Sequence, residues 1–126
     1  VEAYDPQADS WQRVASMPRA TYDHAAAAMD GKIYVTGGTS QGGAVNSAYV
    51  YDPQTNAWTQ LASMSTTWQV HASTAVGGKL YVFGGKLYVF GGGALDTVEV
   101  YDPASDSWAQ GSSLTSARES MVVIAL

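Results

Sequence analysis

The chain has 126 residues, of which 46% are hydrophobic and only 13% are charged, and glycine and tyrosine are plentiful. This profile predicts an all-β protein with many tight turns. A net charge of −5 without a basic cluster argues against nucleic acid and anionic membranes as partners, no apolar run is long enough to span a bilayer, and the absence of cysteine excludes disulfides and thiolate chemistry.

The chain opens on a strand-like stretch that ends in Tyr4-Asp5-Pro6, and Trp11 follows the tyrosine by seven residues. An Asp-Pro pair ends a strand because aspartate stabilises a turn and proline has no amide donor. The aspartates are therefore predicted to form turns rather than to act in catalysis. The same pattern returns twice, 47 and then 50 residues further on, as Tyr51-Asp52-Pro53 with Trp58 and as Tyr101-Asp102-Pro103 with Trp108.

The first complete period contains four strand-like runs. The first two are joined by Asp30-Gly31, and Gly77-Gly78 occupies the same place one period later. Both dipeptides suit a type I′ hairpin turn, in which both central residues need a positive φ. Runs joined in this way predict a four-stranded antiparallel meander, with strands at 24–29, 32–36, 48–51 and 57–61 and a polar loop at 39–46.

A combination of motifs resembles the kelch repeat over nearly the whole chain: a double glycine after an apolar strand, Tyr-Asp-Pro, the spaced tryptophan, and Met17-Pro18-Arg19. The resemblance implies an all-β fold of four-stranded antiparallel propeller blades, with strands a to d from the centre outward and about three blades per chain. The implied blade boundaries are a partial blade at 1–18, a blade at 19–64, a blade at 65–114 that contains the duplicated strand 79–92, and a partial blade at 115–126.

A seven-residue word, 79–85, recurs unchanged as 86–92. The second copy is interpreted as a strand that pairs with another chain or in a shared blade, as a local extra hairpin or loop, or as an artefact. With that copy counted as a b strand, two chains carry the parts for six blades. An unpaired copy of this apolar word would promote aggregation.

About three blades are too few to close a propeller ring. Open faces would expose more apolar surface than a monomer usually tolerates, and free sheet edges seek partners. We therefore expect the chain to associate with itself, most simply as a dimer of about six blades. The missing initiator methionine, the mid-blade ends and the exact duplication predict a propeller fragment or an engineered protein.

Residues that recur in every repeat are expected to have structural roles. His24 and His71 occupy equivalent places, 13 residues after a tryptophan, which favours packing over metal binding. No metal site, cofactor site, catalytic triad or nucleotide-binding loop is predicted. The predicted structural positions are Trp11, Trp58, Trp108, Gly37, Gly38, Gly84, Gly85, Tyr4, Tyr51 and Tyr101.

Residues that break the repeat are better candidates for binding. The resemblance implies that the d–a and b–c loops form one face, on which kelch propellers often bind partners. Trp68 is either a binding anchor or a cover for the adjacent sheet. Arg19 and Arg118 are candidates for binding acidic groups, but the kelch-like context Met17-Pro18-Arg19 favours a structural role for Arg19. The candidate binding residues are Arg19, Tyr22, Asp23, Trp68, Gln69 and Arg118.

The favoured function is a non-enzymatic, self-associating scaffold or a module that binds a peptide or protein through the loop face. The alternative is a sugar-active kelch-like enzyme fragment with a site at the channel mouth, which a cluster of acidic, arginine and aromatic side chains would favour. Kelch-like copper oxidases use a cysteine-modified tyrosine, so the absence of cysteine excludes their chemistry.

Overall fold

A computed structural model describes residues 1–83 and 94–117, and every regular element in those ranges is a β-strand. No helix that could cross a bilayer occurs in the part of the chain that is described. The strands are β1 (Glu2–Asp5), β2 (Ser10–Arg13), β3 (Ala25–Met29), β4 (Lys32–Thr36), β5 (Thr39–Ser40), β6 (Gly43–Ala44), β7 (Ala48–Asp52), β8 (Ala57–Gln60), β9 (Ala72–Val76), β10 (Lys79–Phe83), β11 (Val98–Asp102) and β12 (Ser107–Gln110).

Ten of the described strands form three antiparallel sheets that follow the repeat, and β5 and β6 form a separate two-stranded sheet. The N-terminal sheet pairs β1 with β2, the middle sheet has the order β3-β4-β7-β8, and the C-terminal sheet has the order β9-β10-β11-β12. The two larger sheets are the four-stranded meanders that the sequence predicts, and the predicted all-β antiparallel architecture is confirmed. Their first strands, β3 and β9, lie side by side where the two sheets meet.

Two hairpin turns have the predicted geometry. Asp30 and Gly31 have φ values of 52° and 73°, and Gly77 and Gly78 have values of 58° and 73°. Each pair closes a two-residue loop, because the flanking residues are directly paired across the strands. Positive φ at both central positions defines the type I′ turn, whose twist matches that of the flanking strands.

The Asp-Pro turns also form as predicted. One carboxylate oxygen of each aspartate accepts the backbone N–H two residues later: at 2.8 Å for Asp5, 2.9 Å for Asp52 and 2.9 Å for Asp102. Such a bond replaces a ladder hydrogen bond and ends the strand. These carboxylates are therefore used to shape the chain.

The region 39–46 is more ordered than the predicted polar loop. It contains the short hairpin β5–β6, in which Ser40 pairs with Gly43. Isolated bridges join Tyr22 to Thr39 and Val45 to Trp68, so the hairpin is attached to two other loops. The sequence does not predict these bridges because each depends on residues far apart in the chain.

The main apolar core lies between the middle and C-terminal sheets. Met29 and Tyr34 of the middle sheet pack against Leu80 and Tyr101 of the C-terminal sheet, and all four are buried. Leu80 is fully buried, and burial of a side chain of this kind contributes about 1.5–3 kcal/mol. The core therefore belongs to the contact between sheets, since a single sheet has no second layer to cover it.

Several predictions from the sequence concern residues outside the described ranges. The first copy of the duplicated word forms β10 up to Phe83. Four predicted features lie outside the described residues: the second copy at 86–92, the glycines Gly84 and Gly85, the binding candidate Arg118, and the part of the last partial blade at 118–126.

Candidate functional site

The candidate site is a cleft on the loop face, where the loop after β2 approaches the β5–β6 hairpin. Arg19 and Ala20 form one wall, and residues 40–42 form the other, around a volume of about 560 Å³. The Arg19 side chain is exposed, and no ion pair found among the described residues includes it. A guanidinium in this position presents several N–H donors to an incoming carboxylate.

An exposed aromatic residue, Tyr22, follows Arg19 and Ala20 in the same loop on a fixed backbone. Tyr22 is 62% exposed, yet its N–H donates to the Thr39 carbonyl at 3.0 Å and its carbonyl accepts the Thr39 N–H at 2.7 Å. The next residue, Asp23, is exposed and has a φ of 55°. Its carbonyl accepts the Val70 N–H at 3.2 Å, which ties two loops together. Arg19, Tyr22 and Asp23 are therefore exposed residues of one loop, and of these three only Arg19 lines the cleft.

The other two described candidates, Trp68 and Gln69, are buried. Trp68 is fully buried, and Gln69 is 5% exposed. The Gln69 side-chain oxygen accepts the Thr39 hydroxyl at 2.7 Å, so it supports the hairpin from below. Of the two roles considered for Trp68, its placement is that of a cover for the adjacent sheet.

A buried carboxylate that sequence reasoning missed holds Trp68. Glu99 is 1% exposed. Its oxygens accept the N–H groups of Ser65 at 2.9 Å and Thr66 at 3.0 Å, and also the Trp68 indole N–H at 2.9 Å. Three donors compensate for removing the carboxylate from water. The sequence signal that could have drawn attention to Glu99 is the segment VEVYDP at 98–103, which repeats the segment VEAYDP of residues 1–6.

Neighbouring sheets are joined by three side chains that we call a socket: a tyrosine, an Asp or Asn five residues later, and a tryptophan two residues after that. In the middle sheet, Tyr51 donates its hydroxyl to Asn56 Oδ1 at 2.9 Å. The same oxygen accepts the Ala15 N–H at 2.8 Å. Trp58 Nε1 donates to the Ala15 carbonyl at 2.9 Å. The socket therefore binds both backbone groups of one residue, Ala15, in the loop that follows the preceding sheet.

The C-terminal sheet repeats this arrangement. Tyr101 donates to Asp106 Oδ1 at 2.8 Å, and that oxygen accepts the Ala62 N–H at 2.9 Å. Trp108 Nε1 donates to the Ala62 carbonyl at 2.8 Å. The Ala62 N–H and the Tyr101 hydroxyl hold the pKa of Asp106 below its ordinary value, while burial and the Asp106 carboxylate raise the pKa of Tyr101. At pH 7 the Asp106 carboxylate is therefore ionised and accepts the hydrogen bond, and the Tyr101 phenol is neutral and donates it.

The N-terminal sheet carries the same three side chains, and in the described ranges 1–83 and 94–117 no sheet packs against them from the preceding side. Tyr4 and Trp11 are 46% and 68% exposed, respectively. Tyr4 still donates to Asp9 Oδ1, at 2.7 Å. Predicted structural tryptophans and tyrosines therefore occupy two different environments, and the difference comes from the neighbour that each one meets.

The predicted glycine pair 37–38 allows loops to approach closely. Gly37 has a φ of 57°, and a Cβ built there would lie 2.6 Å from the Trp68 carbonyl oxygen. Gly38 has a φ of 97°, and its Cβ would lie 2.7 Å from the Tyr22 carbonyl oxygen. Both contacts involve backbone atoms, so a side chain would force the loops apart.

The two equivalent histidines, His24 and His71, differ in burial. His71 is 7% exposed, and its Nε2 lies 3.0 Å from the Thr36 hydroxyl of the preceding sheet. Burial lowers its pKa to about 4, so the ring is neutral at pH 7. His24, at the equivalent place, is exposed. Within the described ranges no three His, Asp or Glu side chains are grouped as metal ligands.

Comparisons with known proteins identify relatives. The profile of the KLHDC2/KLHL20/DRC7 Kelch-repeats domain matches residues 1–113. Kelch-like protein 36 from Bos taurus is 47% identical over 38 residues, which are 30% of this chain and 6% of that protein. The solved structure titled "Structure of YjhT" aligns with a TM-score of 0.75 at 23% identity, over 86% of this chain and 32% of the other. This chain therefore spans only a small part of either relative.

Proposed function

Because the chain belongs to the kelch-repeat family, whose domains are mostly protein-interaction modules, we propose that it is a non-enzymatic propeller segment that binds a peptide through its loop face and completes its blades by self-association. The observation that carries the binding proposal is the exposed Tyr22 ring, held on a doubly hydrogen-bonded backbone in the loop whose Arg19 lines the cleft. An aromatic anchor fixed in this way loses little conformational entropy when a partner covers it.

The chemistry of the cleft favours an extended peptide with an acidic side chain. Arg19 supplies a guanidinium for a carboxylate, and Tyr22 supplies an aromatic surface for an adjoining apolar residue. Asp23, in the same loop, disfavours a second acidic residue next to the ring. The bound peptide is thus expected to carry one acidic residue followed or preceded by an apolar one.

The test is selection from a peptide library, with the affinity of each selected peptide measured by fluorescence anisotropy. We expect Arg19→Ala and Tyr22→Ala each to weaken binding by about tenfold or more. Arg13→Ala is the matched control, since Arg13 is an exposed arginine on the N-terminal sheet, and it should change the affinity less than about twofold. Selected peptides that bind both variants as tightly as the unchanged protein would refute the loop-face proposal.

Self-association is favoured by the apolar flank of the C-terminal sheet. A groove of about 490 Å³ there is lined by apolar side chains that include Tyr81, Val100 and Leu114. Val76, on the same sheet, is 52% exposed. A dimer would bring together the strands of about six blades. Light scattering on the whole chain should give twice the chain mass of 13.3 kDa, and a mass that stays at one chain at high concentration would refute self-association.

The sugar-active alternative is not favoured. Glycoside hydrolysis ordinarily needs a pair of carboxyl groups across the scissile bond. The cleft is lined by Arg19, Ala20 and residues 40–42, so its described lining contains no carboxylate, and Asp23 of the same loop is not part of that lining.

A further inference from the structure

We call a socket filled where it binds a backbone residue, as in the middle and C-terminal sheets, and open where the described residues supply none, as in the N-terminal sheet. The open socket has the same internal geometry as the two filled ones. Tyr4 and Trp11 have ring centroids 5.2 Å apart at an interplanar angle of 41°. The filled pairs have 5.1 Å and 39° in the middle sheet, and 5.0 Å and 43° in the C-terminal sheet. The three Asx residues have φ values of 47°, 51° and 45°. The open socket is thus already arranged to receive a backbone N–H and C=O.

The far end of the described chain presents the matching backbone. Ser112 lies four residues after Trp108, as Ala62 lies four residues after Trp58. Two backbone bonds shape the Ala62 loop, from the N–H groups of residues 61 and 64 to Ala48 and Asn46, at 3.0 and 2.9 Å. The equivalent bonds, from residues 111 and 114 to Val98 and Asp96, shape the Ser112 loop at 2.8 and 2.7 Å. Ser112 is exposed.

We propose that the socket of Tyr4, Asp9 and Trp11 in one chain grips the backbone of Ser112 in a second copy. This inference rests on the proposed self-association and specifies its contact. Asp9 Oδ1 accepts the Ser112 N–H, and Trp11 Nε1 donates to the Ser112 carbonyl. The contact is head-to-tail, and two copies that close a ring make it twice.

The partner is a second copy because one chain cannot make this contact with itself. The N-terminal sheet meets the middle sheet through Ala15, and the middle sheet meets the C-terminal sheet through Ala62. The open socket and Ser112 are therefore at opposite ends of a row of three sheets. Packed sheets are about 10 Å apart, so two such spacings separate the ends.

A second pair of matching features lies beside the socket. Glu99 stands two residues before Tyr101 and accepts the Ser65 and Thr66 N–H groups of the preceding sheet. Glu2 stands two residues before Tyr4. Its side chain is 59% exposed and reaches Arg13 only at 4.0 Å. In the proposed contact, Glu2 accepts the N–H groups at 115 and 116, which are the equivalents of Ser65 and Thr66 and are exposed.

The apolar surfaces are complementary as well. In the filled contact, Tyr34 and Val50 of the middle sheet pack in the cluster that contains Tyr101 and Trp108. Tyr81 and Val100 are their equivalents on the C-terminal sheet, and they line the open groove. Tyr4 and Trp11 of a second copy would cover this groove, as Tyr101 and Trp108 cover Tyr34 and Val50.

The test measures the dimer dissociation constant of the whole chain by sedimentation at a series of concentrations. Trp11→Ala and Asp9→Ala should each raise this constant by about tenfold or more, because both remove a group that holds Ser112. Both side chains are exposed, so the variants are expected to fold. Gln12→Ala is the matched control on the same strand, since neighbouring strand residues point to opposite faces.

Substitutions at Ser112 test the other half of the contact. Ser112→Ala should leave the constant unchanged, because only the backbone is used and the filled sockets hold alanine. Ser112→Pro removes the N–H and should weaken dimerisation. A mixture of Trp11→Ala chains with Ser112→Pro chains should form heterodimers, since one intact socket can still grip one intact Ser112 loop, while each variant alone stays largely monomeric.

The outcomes separate this inference from self-association itself. If the unchanged chain dimerises and Trp11→Ala and Asp9→Ala dimerise equally well, the socket is not the contact, although self-association stands. If the mixed variants form no heterodimer, the head-to-tail arrangement is wrong. If the unchanged chain is a monomer at every concentration, both proposals fail. Trp11 fluorescence gives a second readout, since burial of this exposed indole should shift its emission to shorter wavelength on dimerisation.

Discussion

The contact between the middle and C-terminal sheets and the open flank of the C-terminal sheet are built from equivalent residues in different environments. Met29 is 7% exposed in the contact, whereas its equivalent on the flank, Val76, is 52% exposed. Tyr34 is buried, and its equivalent Tyr81 is only half-buried. The repeat therefore specifies one side of a contact, and burial follows only where a neighbouring sheet supplies the other side.

The largest expected difference in side-chain packing between a filled and an open environment is at Leu80 and its equivalent Ile33. Leu80 is fully buried between two complete sheets, whereas Ile33 is 40% exposed beside the two-stranded N-terminal sheet. We expect Leu80→Ala to lower the free energy of unfolding by about 3 kcal/mol, because it leaves a cavity in the filled core. Ile33→Ala should cost about 1 kcal/mol or less.

Urea unfolding at low protein concentration measures both values without a contribution from association. Equal losses for the two variants would show that the contact between the complete sheets is no better packed than the contact with the N-terminal sheet. Packing at equivalent positions would then not depend on a complete neighbouring sheet.

A second difference concerns pH, because only one of the two equivalent histidines is buried. The pKa of His71 is lowered from 6.5 to about 4 in the folded chain. The unfolded state therefore takes up the proton first as the pH falls. The stabilisation from the neutral ring is complete above pH 6.5 and is lost between there and pH 4, by about 3 kcal/mol in total.

Unfolding free energies measured from pH 7 to pH 4 test this expectation. His71→Gln should remove most of the slope in that window, whereas His24→Gln should leave it in place because His24 is exposed. The lowered pKa of Asp106 adds a separate loss at lower pH, below the ordinary carboxyl pKa of 3.8. If the pH dependence of the unfolding free energy between pH 7 and pH 4 persists in His71→Gln, it arises from groups other than His71.

The smallest of these differences is between two glycines with positive φ. Gly37 faces the Trp68 carbonyl across a loop contact, whereas a Cβ at Gly31 would meet nothing within 4 Å. We expect Gly37→Ala to cost about 2 kcal/mol or more, from backbone strain together with the displaced loop. Gly31→Ala should cost about 1 kcal/mol, from strain alone. Midpoints of urea unfolding would show the order, and a larger loss at Gly31 would contradict the close contact at Gly37.

Much of the local structure could be predicted from the sequence, because strands and turns depend on residues near one another. The Asp30-Gly31 turn and the Asp52-Pro53 strand end needed only neighbouring residues. The family resemblance was likewise carried by short motifs, and the profile match over 1–113 confirms it.

The candidate site could be predicted only in part. The sequence left Trp68 as either a binding anchor or a cover for the adjacent sheet, and it placed Tyr22 among the binding candidates. Their different burial depends on Glu99, which lies 31 residues after Trp68 and accepts its indole N–H. The same holds for the β5–β6 hairpin, whose bridges join distant loops. The spacing of residues within one repeat does not predict the contacts between repeats.

The sockets bind main-chain atoms and leave the side chain of the gripped residue free. Both residues held in this way are alanines, and proline alone among the residue types would lack the amide hydrogen that the Asx oxygen accepts. These hydrogen bonds therefore constrain the backbone of the neighbouring repeat rather than its side chain, so an exchanged repeat keeps them as long as its loop has the same backbone path.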